Sequence, residues 1–83
     1  MSYTLTKHAL ENMRARRITL EWLERALAAP DWTEPDDVDP ALEHRFAVIH
    51  EFGDRVLHVI VNPTAEPERV ITAFFDRRLR GAR

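Results

Sequence analysis

The sequence predicts an α+β domain: two helices packed on one face of a mostly antiparallel sheet of about four strands. Three observations predict it. Apolar residues recur at helical spacing before Pro30, whereas the apolar runs after it are short and rich in β-branched or aromatic residues, which suit a pleated surface. The two strongest runs, Val56 to Val61 and Val70 to Phe75, are joined by Asn62-Pro63-Thr64-Ala65-Glu66-Pro67-Glu68, whose prolines cannot donate ladder hydrogen bonds. Helices gathered first and strands after place both helices on one side of the sheet.

The elements follow in order. Tyr3-Thr4-Leu5 is either an edge strand or an extended lead-in. Thr6 is a good N-cap, because its hydroxyl can accept from an exposed amide of the first turn. From Lys7 to about Arg16, Ala9, Leu10 and Met13 fall at helical spacing and are expected to face the core, while His8, Asn12 and Arg16 share a second stripe. Thr19 caps a second helix with Leu20, Leu23 and Leu27 inward, Glu21, Glu24 and Arg25 outward, and Trp22 sealing its flank. Pro30 ends that helix at about Ala29.

A short strand is expected around Trp32 to Glu34, then an exposed acidic turn with Pro35 and Pro40, then a strand from His44 to Phe52. Gly53-Asp54 is a tight turn, since glycine takes positive φ without Cβ strain. On the next strand Leu57, Val59 and Val61 point one way and Val56, His58 and Ile60 the other. The first set is preferred against the helices, leaving His58 on the open face, although a slip of one residue would swap the two. On the last strand Ile71, Ala73 and Phe75 oppose Val70, Thr72, Phe74 and Asp76, and the tail after Leu79 is expected to fray.

Eighty-three residues make one domain, with an ordered core of about residues 3–79. A chain of this size buries only ~60–65% of its unfolded surface, so good packing or a partner is needed. The absence of cysteine excludes disulfides and thiolate metal sites. No apolar stretch reaches the ~18–20 residues of a membrane span and no signal-peptide pattern opens the chain, so the expectation is a cytoplasmic protein without a membrane partner.

The net charge of −2 argues against a general nucleic-acid binder, but the charge is segregated. Lys7, Arg14, Arg16 and Arg17 make the first helix basic, and Arg77, Arg78, Arg80 and Arg83 do the same for the C-terminus. Asp31, Glu34, Asp36, Asp37, Asp39 and Glu43 form an acidic connector between them. Two glycines leave no room for a Gly-rich phosphate loop, and the aspartates lack the glycine and terminal glutamate of an EF-hand loop. No metal and no cofactor is therefore expected. Of the histidines, His44, His50 and His58 fall in strands, where a half-buried structural role is common, whereas His8 sits in the first turn of a basic helix. Near Arg16 and the C-terminal arginines, His8 could take a ribose 2′-hydroxyl proton while the cations stabilise charge developing on the phosphate.

His8-Ala9, Met13, Arg16, Ile18 and Thr19 together resemble the helical signature H-A-x-x-R-M-x-x-R-G-I-[ST]. The stretches Arg55-Val56-Leu57-x-Val59-x-Val61-Asn62-Pro63 and Val70-Ile71-Thr72-Ala73-Phe74-x-x-Arg77-Arg78 resemble the rest of that pattern. It belongs to a small, uncharacterised bacterial domain family grouped with the RelE, ParE and BrnT toxins. The resemblance spans roughly Tyr3 to Arg78; Asn12 stands where the pattern has arginine and Arg17 where it has glycine. It implies a RelE-like sheet with two N-terminal helices, a toxin role with a neutralising antitoxin, and RNA or the ribosome as target. His8, Arg16, Arg45, Thr72 and Arg77 would be its polar cluster.

Two functional expectations follow. The first is a toxin-type, metal-independent endoribonuclease or RNA-binding domain, with His8, Arg16 and Arg77 catalytic and Arg45, Thr72 and Arg78 holding phosphate. The second is a non-catalytic interaction module, a homo- or hetero-oligomer whose partner covers an apolar sheet face containing Val56, Ile60 and Phe74.

Overall fold

A computed structural model describes residues 2–80, so the expected frayed tail falls partly on residues 81–83, outside the described residues. Among the described residues, five strands and two helices run in the order β1 (Tyr3–Leu5), α1 (Lys7–Arg16), α2 (Leu20–Ala28), β2 (Trp32–Pro35), β3 (Glu43–Ile49), β4 (Arg55–Asn62) and β5 (Glu68–Arg80). The sheet order is β1-β5-β4-β3-β2. β1 pairs with β5 in parallel and the remaining neighbours are antiparallel. The sheet is thus mixed and five-stranded, one strand more than expected, because Tyr3–Leu5 joins it as an edge.

Both helices begin at the residues that can cap them. Thr6 Oγ1 accepts from the Ala9 amide at 3.0 Å and also donates to the Ile71 carbonyl at 2.8 Å, which ties the helix start to β5. Thr19 Oγ1 accepts from the Trp22 amide at 3.1 Å. Arg17 closes α1 with φ 56° and ψ 39°, a left-handed residue whose amide reaches back to the Met13 and Arg14 carbonyls. This is the position where the helical signature that the chain resembles has glycine, the residue that adopts this conformation without Cβ strain. α2 ends at Ala28, with Ala29 as its cap and Pro30 following.

The helices lie on one face, α1 over β5 and β1, α2 over β3 and β4. Ala9, Met13, Ile18, Leu23, Ala26 and Leu27 meet Leu57, Val59, Val61, Val70 and Ala73 there. The preferred register of β4 is the observed one. Two helix positions differ from expectation: Leu10 is 37% and Leu20 56% exposed, and Ala26 takes the inward place beside Leu23. Trp22 does seal the flank, stacking toward Phe52 at 5.3 Å and edge-on to Phe75 at 5.9 Å.

β3 stops at Ile49, and His50–Phe52 forms a 3-10 turn that ends in Gly53 (φ 69°) and Asp54 (φ 57°). A register shift between Ile60 and Val61 leaves Ile71 as an extra residue opposite β4. Strict alternation on β5 therefore fails, and Val70 joins Ala73 in the helix-side core. On the other face Phe46, Val48 and Val56 pack with Trp32 and Leu79 as a second, smaller core. Val56 is fully buried in this second core, whereas Ile60 and Phe74 on the same face are half-buried.

Candidate functional site

The polar stripe of α1 lies against β5 as one bonded row. His8 Nε2 is 3.3 Å from the Asn12 side-chain nitrogen, which also donates to Thr72 Oγ1 at 2.8 Å. The Asn12 carbonyl oxygen accepts from Arg16 Nη1 at 3.5 Å. Asn12 thus joins His8, Thr72 and Arg16, three of the residues expected at the site. Because the amide nitrogen donates, His8 Nε2 accepts, and the ring proton belongs on Nδ1.

Arg16 then meets the end of β5. Arg16, Arg55 and Arg77 line one pocket of about 430 Å³ together with Phe52, Phe75 and Leu79. The Arg55 guanidinium lies over the Phe52 ring at 4.6 Å, and Phe52 packs on Phe75 at 5.2 Å, so the pocket has an aromatic floor. Asp76 also borders it, but Arg78 binds that carboxylate through two nitrogens at 2.9 and 3.1 Å and holds it well below the usual carboxylate range. Three guanidiniums beside aromatic faces are a cradle for a phosphate with its attached base. His8 lies outside it, about two helical turns from Arg16 along α1.

The other expected residues are elsewhere. Arg45 is locked on the helix side, bonded to Glu43 at 2.6 Å, to both Glu68 oxygens at 3.1 Å and to the Leu27 carbonyl at 3.1 Å. Its guanidinium is committed to holding β3, β5 and the end of α2 together. Arg78 points to the face opposite the helices, away from Arg77, as successive residues of a strand do. Thr72 is occupied by Asn12.

Residues 5–75 match a domain family described as a domain of unknown function (DUF4258). The chain belongs to this family. No curated protein and no solved structure matches it.

The face opposite the helices holds a cluster that the sequence reading passed over. His44 Nε2 is 2.7 Å from Asp36 Oδ1, His44 Nδ1 is 2.6 Å from His58 Nε2, and His58 Nδ1 is 3.1 Å from Asp76 Oδ2. His58 and Asp76 are only 5% and 4% exposed, so the face expected to be open is closed over them. The His58 ring packs between Phe46 at 4.2 Å and Phe74 at 4.7 Å. Burial pushes the His58 imidazole below its ordinary range, against the pull of Asp76. Asp36 is brought down to about 2, first by the Asp39 amide and then by His44.

The only signal in the sequence was parity. His44, Phe46, His58, Phe74 and Asp76 share a face once the strands pair as His44 with Ile60, Phe46 with His58, and His58 with Phe74. The adjoining pocket, about 560 Å³, presents Glu34, Asp36, Asp37 and Asp76 against one arginine, Arg78. Such a surface repels a phosphodiester, whereas the arginine pocket attracts one.

Proposed function

We propose that this chain is a toxin-type RNA-binding domain whose ligand is a single strand seated in the Arg16, Arg55 and Arg77 pocket. The observation that carries the reading is the convergence of three arginines, from α1 and two strands, on a pocket floored by Phe52 and Phe75. Backbone phosphates pair with the guanidiniums, and an unpaired base stacks on the exposed edge of that floor. Toxin function with an antitoxin partner rests on the resemblance of the helical signature. Cleavage is the further step of this reading: His8 takes the 2′-hydroxyl proton of a nucleotide beside the seated phosphate. His8 is exposed on the same helix face, bonded to Arg16 through Asn12, so strand and base share one surface.

The interaction-module reading draws less support. Val56, expected to need a partner's cover, is fully buried by the chain's own residues.

Fluorescence anisotropy with a short unstructured RNA tests the binding. Arg16→Ala with Arg77→Ala is expected to weaken it at least tenfold, while Arg69→Ala, which borders neither pocket, leaves it unchanged. Equal losses from all three substitutions would refute the pocket. Growth arrest and RNA cleavage on expression, compared with His8→Ala, test the catalytic step separately. Activity that survives His8→Ala removes His8 from the reaction without removing the pocket.

A further inference from the structure

Counting protons on the face opposite the helices leads to a second conclusion, independent of RNA. Three contacts run end to end, Asp36 to His44, His44 to His58 and His58 to Asp76, at 2.7, 2.6 and 3.1 Å. Each needs one proton. Both carboxylates are held ionised, Asp76 by Arg78 and Asp36 by the Val38 and Asp39 amides, so they only accept. His44 Nε2 and His58 Nδ1 therefore carry protons. In two neutral imidazoles these would be all the ring protons, and His44 Nδ1 and His58 Nε2 would face each other as bare lone pairs. Their separation of 2.6 Å is that of a strong hydrogen bond, so a third proton lies between them.

The pair thus holds one positive charge between two carboxylates. A fourth proton would set two donors head to head beside the Phe46 and Phe74 rings that pack on His58. Every ring nitrogen is already bonded, which leaves none free to act as a general base. The four groups lie in a line rather than around a point, and among the described residues no set of three is placed to hold a metal.

We infer that Asp36, His44, His58 and Asp76 form a proton-held latch that fastens the acidic connector between β2 and β3 to the sheet. The latch is closed with one shared proton and opens when the pair holds none or two. The charged groups facing it are Glu34 from β2, Asp36 and Asp37 from the connector, and Asp76 and Arg78 from β5. The carboxylates favour the first proton, and Arg78, already bound to Asp76, opposes the second. Two coupled rings titrate in separate steps, so stability should pass through a maximum as pH varies.

Nitrogen-15 NMR of the imidazole rings in the wild-type chain tests the count directly. Three protonated nitrogens among the four of His44 and His58 at neutral pH are expected; two protonated nitrogens would overturn the inference. Thermal unfolding from about pH 5 to about pH 9 tests the consequence. Wild type should lose roughly 4–8 °C of Tm on each side of its maximum relative to His44→Gln, which bonds without titrating. Parallel wild-type and His44→Gln profiles would overturn it, and should that variant fail to fold, the NMR count alone decides.

Discussion

Arg17 is a left-handed residue with a Cβ, at φ 56°, and it ends the helix that carries the proposed site. A side chain in this region costs about 1 kcal/mol relative to glycine. Arg17→Gly should therefore raise stability by about 0.5–1 kcal/mol in chemical denaturation, even after the added freedom of the unfolded chain is counted. No change, or a loss, would mean that the Arg17 side chain supplies something its exposed position does not show. Arg45 gives the opposite case. Four hydrogen bonds from its guanidinium reach Glu43, both Glu68 oxygens and the Leu27 carbonyl, and its side chain is 11% exposed. Arg45→Met should cost about 2–4 kcal/mol while leaving RNA affinity unchanged in the folded fraction. Arginine was legible as a cation in the sequence, but whether it was committed to structure or free for a ligand depended on Leu27 and Glu68, both distant along the chain.

The helices and central strands were legible because their signals are local: Thr6 and Thr19 as caps, Gly53-Asp54 as a turn, and β-branched runs in β4 and β5. Inward direction was less so. Leu20 matches the helical stripe yet stands 56% exposed, while Ala26 is fully buried and takes the close contact instead. Leu23→Ala, at a site with no exposure, should cost about 3 kcal/mol, and Leu20→Ala should stay within about 0.5 kcal/mol. The alternation of β5 was unreadable for another reason. A bulge depends on the partner strand's length and register, and nothing in Val70-Ile71-Thr72 marks Ile71 as the residue left unpaired. The histidine cluster was hidden by the same ignorance of register, since His44 and His58 meet only after β3 and β4 have paired, and Asp76 joins only with β5.

Across the whole molecule, charge is sorted by face. Three arginines gather at the end of α1 and β5, while the acidic connector and its histidines occupy the opposite side. The fold keeps several carboxylates ionised to lower pH than usual. Glu51 is brought down to about 2, chiefly by Arg25, Asp36 also to about 2, and Asp76 lower still. A folded-state value below the unfolded one contributes stability that is present above the ordinary carboxylate range and lost as pH falls. Unfolding midpoints should accordingly drop steeply from about pH 4.5 to about pH 2; a flat profile there would contradict these pairings.

The arginine pocket is the central claim, and the salt dependence of RNA binding tests it most directly. Each phosphate contact on a single strand contributes about −0.7 to the slope of log K against log salt. Removing Arg16 and Arg77 together should make that slope shallower by about 1.4 while the thermal midpoint holds. A slope unchanged by the double substitution would show that RNA, if it binds, is held somewhere else on the molecule.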